Sequence, residues 1–446
     1  MRTYRISTLL ICVLIAAMAA LPAAAAGNRD LGREVLQPLD GWASQGAGTT
    51  GGSAAAPEQV YLVTNRQELI AALNNGVYPP PSTTPSSVPK IIYVQGTISA
   101  NVDDNNQPLV CQDYYRDGYT LEAFLAAYDP AVWGRTAPTG PLEAARITSR
   151  NAQQARVRIR VGSNTTLVGL GKNARIVGAW LDLRGSSSAQ RTNIIIRNIT
   201  FQDTHDCFPA WSPTDGALGA WNAEYDAISL RETNHVWVDH CTFQDVATAD
   251  DQQPSYFGVL YQVHDGHLDI TNASDLVTVS WNRFLDHDKV MLIGSSDGAT
   301  ADRNKLRVTL HHNLFEGVGQ RMPRVRFGQV HIYNNYYKII NNPIYAYSWG
   351  VGIESAIYAE NNYFKTDQKT SPEQFIAVYK GTMIHASGTR VNGTASGGFT
   401  DVVGAYNAAN DPDLVEVGWT PTLFSRIHDA QRAISAVESG AGPFQW

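Results

Sequence analysis

Residues 194–201 read IIIRNITF, and five later segments of the chain repeat this pattern. In all six segments the first position is Val or Ile, the third is aliphatic and the last is aromatic. The sixth position is Asn in the final four segments. The later segments are VWVDHCTF (236–243), VTVSWNRF (277–284), VTLHHNLF (308–315), VHIYNNYY (330–337) and IYAENNYF (357–364). Recurrence of one short pattern indicates a repeat architecture.

The spacing and periodicity of these segments favour a solenoid of β-strands. Apolar residues at positions one and three give the period of a strand with one buried face. The segments begin 42, 41, 31, 22 and 27 residues apart, so a short coil with loops inserted on one side accounts for them. The Asn column is expected to stack from coil to coil through side-chain amide hydrogen bonds. A sandwich gives no reason for this register, so we predict an all-β protein built as a parallel β-helix.

Segments outside the repeat predict how the stack of coils is covered. Residues 65–74, NRQELIAALN, predict a short N-terminal capping helix in which Asn65 and Glu68 have capping-box spacing. Residues 101–156 are polar and aromatic, with a helical YTLEAFLAAY, and are predicted to be an insertion. Residues 365–446 lack the repeat, so we expect them to pack along the side of the β-helix and to cover its C-terminal end.

The N-terminus has the pattern of an export signal. Arg2 and Arg5 form a basic start, residues 9–21 are apolar, and an Ala-x-Ala sequence ends at Ala26. The apolar run is too short to favour a membrane anchor. We therefore predict a signal peptide over residues 1–26, a single mature domain over residues 27–446, and a secreted, extracellular protein.

Composition excludes some partners and constrains the cysteines. The formal net charge is −7 and no Lys/Arg-rich run occurs, so neither a nucleic acid nor an anionic membrane is expected as a partner. Beyond the signal, Cys111, Cys207 and Cys241 remain, and at most one intramolecular disulfide can form. Cys241 lies in a repeat segment and is expected to be a buried thiol.

Three aspartates indicate a site for a hard cation. Asp265 and Asp269 lie in DGHLDIT, and Asp226 precedes Asp265 by 39 residues, about one coil with an insertion. Stacked coils would bring the three carboxylates together, and carboxylate oxygens without Cys or His suit Ca²⁺. Glu224 would offer a further oxygen. The alternative is that these are solvated acids in ordinary turns.

Basic residues follow on the next coils. Lys289 comes 24 residues after Asp265, and Arg321, Arg324 and Arg326 lie together in QRMPRVRFG. Fixed positive charges beside a cation site are suited to a polymer that carries a carboxylate on each sugar. Salt bridges to surface acids are the alternative interpretation.

These strings together resemble a known family. WVDHCTF, DGHLDIT, SWNRFLDHDKVMLIG, HHNLFEGVGQRMPRVRFGQVHIYNNYY and GAGTTGG are similar to the pectate lyases of polysaccharide lyase family 1. The Arg-x-Pro-x-x-Arg element at Arg321, Pro323 and Arg326 is the most specific part of the match. The resemblance implies a single-stranded, right-handed parallel β-helix and calcium-dependent β-elimination of α-1,4-linked polygalacturonate (pectate), which gives 4,5-unsaturated oligogalacturonides.

The resemblance also implies a role for each candidate residue. Asp226, Asp265 and Asp269 fall on calcium-ligand positions, and Arg321 falls on the position of the catalytic base. Lys289 and Arg326 fall on positions that hold substrate carboxylates, and Arg324 is expected to join them. Glu224 stands where relatives often carry Asp, which leaves its role and a second calcium open. We expect a monomer.

Three other functions remain open at this point. A pectin lyase acting on methylated polymer would lack the calcium site, whereas this chain keeps all three aspartates. A β-helix glycoside hydrolase needs an acid and a base carboxylate across the scissile bond, and Asp265 and Asp269 could serve. A glycan-binding adhesin would keep the stack of coils without any need for the Arg cluster.

Overall fold

Three parallel β-sheets, wound by one chain, form the faces of the molecule in the computed structural model. The structure describes residues 30–367, 369–393 and 398–446, so the predicted signal peptide lies outside the described residues. The strands are β1 (Val60–Val63), β2 (Lys90–Val94), β3 (Thr97–Ser99), β4 (Arg158–Arg160), β5 (Thr165–Gly169), β6 (Arg175–Val177), β7 (Trp180–Arg184), β8 (Arg191–Arg197), β9 (Thr200–Gln202), β10 (Ala210–Ser212), β11 (Ala220–Asn222), β12 (Ile228–Arg231), β13 (Thr233–Asp239), β14 (Thr242–Gln244), β15 (Ser255–Tyr256), β16 (Val259–Leu260), β17 (Leu268–Thr271), β18 (Asp275–Ser280), β19 (Arg283–Lys289), β20 (Leu292–Ile293), β21 (Val308–His311), β22 (Leu314–Gln320), β23 (Arg324–Val325), β24 (Gln329–Tyr333), β25 (Tyr336–Ile339), β26 (Trp349–Gly352), β27 (Ala356–Glu360), β28 (Tyr363–Thr366), β29 (Ile376–Tyr379), β30 (Ile384–Ser387) and β31 (Arg390–Val391).

The helices lie outside the three sheets. They are α1 (Arg66–Leu73), α2 (Leu121–Ala127), α3 (Pro130–Trp133), α4 (Pro141–Val157), α5 (Val402–Ala409) and α6 (Ala430–Gly440). Short 3₁₀ turns occur at Trp42–Ser44, Pro57–Gln59, Cys111–Tyr114, Asp250–Gln252, Thr300–Asp302 and Pro372–Phe375. Within the described part of the chain, none of these helices is long and apolar enough to cross a membrane.

Strand order confirms the parallel β-helix. The first sheet runs β1-β2-β5-β8-β13-β18-β21-β24-β27-β30, the second β3-β6-β9-β14-β19-β22-β25-β28-β31, and the third β4-β7-β12-β17-β20-β23-β26-β29. Neighbouring strands in each of these sheets pair in parallel, for example β12 with β17. Two small antiparallel hairpins, β10-β11 and β15-β16, lie in inserted loops.

The repeat columns predicted from the sequence stack in register inside the coils. Val236 pairs with Ile194 on one side and with Val277 on the other. The aromatic column stacks likewise: the rings of Phe243 and Phe284 are nearly parallel, with centroids 5.0 Å apart. Burial of such a column gives the β-helix its continuous hydrophobic core.

The Asn column forms the expected ladder. The Asn282 side chain donates to Oδ1 of Asn313 at 3.1 Å, and the Asn313 side chain donates to Oδ1 of Asn335 at 2.9 Å. Cys241 occupies the same column one coil earlier, where its thiol is buried and free, as predicted. Its backbone N–H donates to Oδ1 of Asn282 at 2.8 Å, so the ladder ends on a peptide group.

The repeat extends one coil further than the sequence indicates. β30 and β31 lie in IHASGTRV (384–391), which pairs in parallel with the segment that begins at Ile357. Thr389 replaces the ladder Asn and Val391 replaces the aromatic residue, so the last coil lacks the two features that mark the others. α5 covers this end of the stack through buried Val402.

The C-terminal segment then returns along the side of the coils. α6 packs buried Val437 in a cluster with Tyr336 and Tyr363. The final residues bond to progressively earlier coils. The Phe444 N–H donates to Oδ1 of Asn198 at 2.8 Å, and the Trp446 indole donates to the carbonyl of Gly169 at 2.9 Å.

α1 and the insertion cover other parts of the stack. The Asn65 side chain caps α1 by accepting from the Glu68 N–H at 3.0 Å, while Glu68 bonds back to the Thr64 N–H at 2.7 Å. α2, α3 and α4 form the body of the insertion. A disulfide from Cys111 to Cys207 ties the insertion to the loop that follows β9.

Candidate active site

The predicted acidic residues gather on two neighbouring coils of the third sheet. Asp226 lies just before β12, Asp265 lies just before β17, and Asp269 lies within β17. β12 and β17 pair in parallel with Ser229 opposite Asp269, so the turns that carry the other two aspartates are also adjacent. The structure therefore brings together the carboxylates that the sequence selected.

A glycine allows these carboxylates to approach one another closely. The Gly266 N–H donates to Oδ1 of Asp226 at 2.9 Å. A Cβ at this position would lie only 2.6 Å from Oδ1 of Asp269 and 2.8 Å from Oδ1 of Asp226. Any side chain at residue 266 would therefore occupy the space into which both carboxylates point.

Burial and mutual repulsion make this acidic cluster electrostatically unfavourable. Burial, with added repulsion from Asp269 and Asp265, raises the pKa of Asp226 well above its ordinary value. Burial and the Asp265 charge likewise raise the pKa of Asp269, to about 7, although Arg321 and Lys289 partly oppose the shift. A bound cation would relieve this repulsion, and a donor set made only of carboxylate oxygens suits Ca²⁺.

The carboxylate oxygens of the three aspartates are not all in close contact with one another. Across the described residues, two groups of His, Cys, Asp and Glu bring all their ligand atoms within 4.8 Å of one another, and the three aspartates do not form one of them. Asp265 instead turns one oxygen toward Lys289, with 3.3 Å between Oδ1 and Nζ. The Lys289 ammonium therefore lies beside the carboxylate group at Asp265.

The predicted basic residues occupy the next two coils of the same face. Lys289 is buried and ends β19, shortly before β20, while Arg321 lies shortly before β23. β20 pairs with both β17 and β23, so the acidic and basic residues lie at, or a few residues before, four consecutive strands of the third sheet: β12, β17, β20 and β23. Strands of a sheet are about 4.8 Å apart, so the Arg321 backbone lies roughly 10 Å from that of the Asp265 coil.

Arg321 lies in the turn between β22 and β23. Its φ of 61° is left-handed, and its carbonyl accepts from the Met291 N–H at 2.9 Å. Its buried Nε has no hydrogen-bond partner among the described residues. Arg321 is therefore held through its main chain while its guanidinium keeps hydrogen-bonding capacity.

Arg324 and Arg326 are more strongly engaged with the protein. Arg326 donates from Nε to Asp297 at 2.8 Å and from a terminal nitrogen to the Gly294 carbonyl at 2.9 Å. The Arg324 guanidinium lies over the ring of Tyr379, 3.7 Å from its centroid. Both side chains are thus fixed in place beside Arg321.

Glu224 has a partner that the sequence did not indicate. Arg150, on α4 of the insertion, forms an ion pair with its carboxylate at 2.5 Å. The Glu224 N–H also donates to Asp206 at 3.1 Å, and burial raises the pKa of Asp206 to about 7. The insertion therefore places a cation where the sequence predicted only a further calcium oxygen.

A second polar cluster behind the site was missed by the sequence reasoning. We call it the His–Asp cluster; it consists of the buried residues Asp245, Asp250, His264 and His287. The two histidines adjoin residues already selected, since His264 precedes Asp265 and His287 lies two positions before Lys289. That adjacency was the available signal, but the aspartates lie in a loop without a repeat pattern.

Comparison with known proteins agrees with this fold and site. Residues 130–416 match the family model described as pectate lyase. A pectate lyase of Bacillus subtilis (strain 168) is 43% identical over 425 residues, which cover 95% of this chain and 96% of the relative. A thermostable pectate lyase of known structure has a TM-score of 0.88 at 47% identity, covering 94% of this chain and all of the other. A pectate lyase solved with a bound hexasaccharide has a TM-score of 0.85 at 43% identity, covering 93% of this chain and 99% of the other.

The parallel β-helix and its charged face thus define a polysaccharide lyase. The chain belongs to the pectate lyase family.

Proposed function

We propose that this protein is a secreted, calcium-dependent pectate lyase that cleaves α-1,4-linked polygalacturonate by β-elimination. One observation carries the proposal: Asp226, Asp265, Asp269, Lys289 and Arg321 lie at, or a few residues before, consecutive strands of the third sheet. This pattern is complementary to a polymer whose carboxylates can contact a cation and fixed basic groups at the same time.

The reaction begins with loss of the C5 proton, which lies next to the sugar carboxylate. In our proposal Arg321 accepts this proton, and the negative charge that develops on the carboxylate is stabilised by Lys289. Ca²⁺ held by the three aspartates would supply Lewis-acid stabilisation of the same carboxylate. The C4–O bond then breaks with its electron pair on the leaving oxygen, which takes up a proton from solvent. The products are a 4,5-unsaturated end and a free hydroxyl, with no net consumption of water.

An arginine base requires explanation, because a free guanidinium stays protonated below about pH 12. Neighbouring cations and an apolar environment both favour the neutral form of such a group. The proposal therefore requires either such surroundings or an alkaline solution, and the rate should rise with pH in the alkaline range.

The residues around Arg321 would fix the polymer. We assign substrate-carboxylate binding to Lys289, Arg324 and Arg326. Asp297 and the Gly294 carbonyl hold the Arg326 guanidinium in one orientation, which reduces the entropy lost when a sugar carboxylate binds.

The decisive experiment uses purified protein and polygalacturonate. Ultraviolet absorbance of an unsaturated product should appear, disappear with EDTA and return with added calcium. Reducing ends without that absorbance would indicate a hydrolase, and binding without cleavage would indicate an adhesin. For the export proposal, N-terminal sequencing of protein from culture medium should give a start at Gly27.

A further inference from the structure

The His–Asp cluster adjoins the candidate calcium site through the backbone of Asp265. Its side chains bond to one another and to the backbone, and none of them is a candidate ligand or substrate-binding group. Nδ1 of His287 lies 2.5 Å from Oδ2 of Asp245, and Nδ1 of His264 lies 2.9 Å from Oδ1 of Asp250. Asp250 also accepts from the Asp288 N–H at 2.7 Å. The cluster is therefore a closed network of buried hydrogen bonds and ion pairs.

His287 connects this network to the active-site backbone. Its Nε2 lies 2.7 Å from the carbonyl oxygen of Asp265 and 3.1 Å from that of Lys289. Carbonyl oxygens only accept hydrogen bonds, so Nε2 must carry hydrogen whatever the state of Nδ1. Because Nδ1 also faces a carboxylate, both ring nitrogens act as donors, and neither has a lone pair free for a metal ion.

These two carbonyls belong to the residues whose side chains meet in the site. Asp265 lies on one coil and Lys289 on the next, and their charged groups are 3.3 Å apart. A single N–H shared between both carbonyls fixes the distance between the two backbones. The stacked ring of His267, 3.8 Å away, restricts movement of the imidazole.

We propose that His287 is a positioning residue that sets the Asp265 carboxylate and the Lys289 ammonium in register for calcium and substrate. The inference rests on the proposed function. Misplacement of a catalytic group by about 1 Å can reduce a rate about 100-fold, so one shared hydrogen bond is sufficient to matter.

Two substitutions separate this role from simple packing. Gln places its amide nitrogen where His places Nε2, so His287→Gln keeps the donor to the two carbonyls and loses the donor to Asp245. Asn places its amide nitrogen near the position of Nδ1, so His287→Asn keeps the donor to Asp245 and loses the donor to the carbonyls. Control substitutions at His331, a buried histidine bonded to Glu360 on the first sheet, leave the site untouched.

The readouts are calcium affinity by calorimetry, the calcium concentration for half-maximal rate, kcat and the melting temperature. We expect His287→Asn to weaken calcium binding and to lower kcat by about tenfold or more, the range found for outer-shell partners of metal sites. His287→Gln should stay within about threefold of wild type, and His331→Asn should change only the melting temperature. If His287→Asn does not fold, Asp245→Asn loosens the other side of the ring and should show the same effects in weaker form.

Equal effects of the Gln and Asn substitutions, or an unchanged calcium affinity in both, would overturn the inference. Calorimetry tests this inference independently of the proposed lyase activity, because it measures calcium binding without turnover. If wild-type protein binds calcium but forms no unsaturated product, the lyase proposal fails while His287 is still tested by affinity. If wild-type protein binds no calcium, the positioning role is refuted as well.

Discussion

Lys289 and Asp265 form an ion pair across two coils, with 3.3 Å between Nζ and Oδ1. The ammonium group therefore neutralises part of the carboxylate cluster into which a cation is expected to bind. In the proposed mechanism, calcium would compete with this pair and release Lys289 toward the substrate carboxylate. On this proposal Lys289 opposes calcium binding and assists substrate binding.

Substitution of Lys289 should separate these two effects. In Lys289→Met, kcat should fall by about 100-fold or more, because a fixed donor to the developing charge is lost. Calcium affinity measured by calorimetry should be unchanged or higher, because the competing ammonium is gone. A weaker calcium affinity together with a normal kcat would contradict this account.

The base can be tested with a conservative change at Arg321. Arg321→Lys should lower kcat by 100-fold or more, in the range of general-base catalysis, while calcium and oligogalacturonate binding persist. Arg303→Lys is a matched control, since Arg303 is an exposed arginine paired with Glu354. Near-normal kcat in Arg321→Lys would eliminate Arg321 as the base.

The proposed calcium ligands can be tested one at a time. Asp265→Asn and Asp269→Asn should each raise the calcium concentration for half-maximal rate, because a neutral amide replaces a charged ligand. Calcium should also raise the melting temperature of the wild type, and less so that of the variants. The exposed Asp413→Asn serves as the control, and calcium titrations that match the wild type would reject the metal assignment.

Substrate charge should determine the reaction rate. The chain has a net charge of −7, so long-range attraction of a polyanion is weak and recognition depends on groups at the site. Methyl esterification removes the sugar charge, so kcat/KM should fall as methylation rises, and EDTA should abolish cleavage of the unesterified polymer. Faster, EDTA-insensitive cleavage of highly methylated pectin would indicate a pectin lyase instead.

The Asn ladder should contribute to stability without affecting catalysis. Asn313 accepts from Asn282 and donates to the Val279 carbonyl and to Asn335, so Asn313→Ala leaves several buried groups unpaired. We expect a loss of about 2–3 kcal/mol in the free energy of unfolding, with kcat unchanged at temperatures where the variant is folded. Thermal or denaturant unfolding measures this free energy. If Asn313→Ala is as stable as the wild type, water molecules must replace the lost hydrogen bonds.

The sequence predicted the fold because each coil repeats the same interior. Val or Ile, Asn and an aromatic residue recur at fixed positions, and stacking alone then brings Asp226, Asp265 and Lys289 onto one face. The last coil was missed because Thr389 and Val391 occupy those positions. These residues still fit the interior but do not reveal the pattern.

Contacts with the inserted loops could not be predicted in the same way. Arg150 reaches Glu224 from a helix whose docking position depends on tertiary packing rather than on the repeat. The disulfide from Cys111 to Cys207 likewise joins the insertion to a loop, and the contact of His287 with Asp245 joins a strand to the first residue after β14, where the repeat pattern has ended. The sequence period determines which coils are neighbours, but it does not determine which coil an inserted loop packs against.

The returning C-terminal segment changes how the stack can come apart. In a simple solenoid each coil depends on its neighbours, so the ends fray one unit at a time. Here the carbonyl of His428 accepts from Asn361 and Asn334, while Phe444 and Trp446 reach Asn198 and Gly169 many coils away. The terminal coil therefore cannot unfold without loosening the C-terminal segment, which also contacts the earlier coils. Unfolding at one end of the stack is thereby coupled to unfolding at the other, which makes the transition more cooperative.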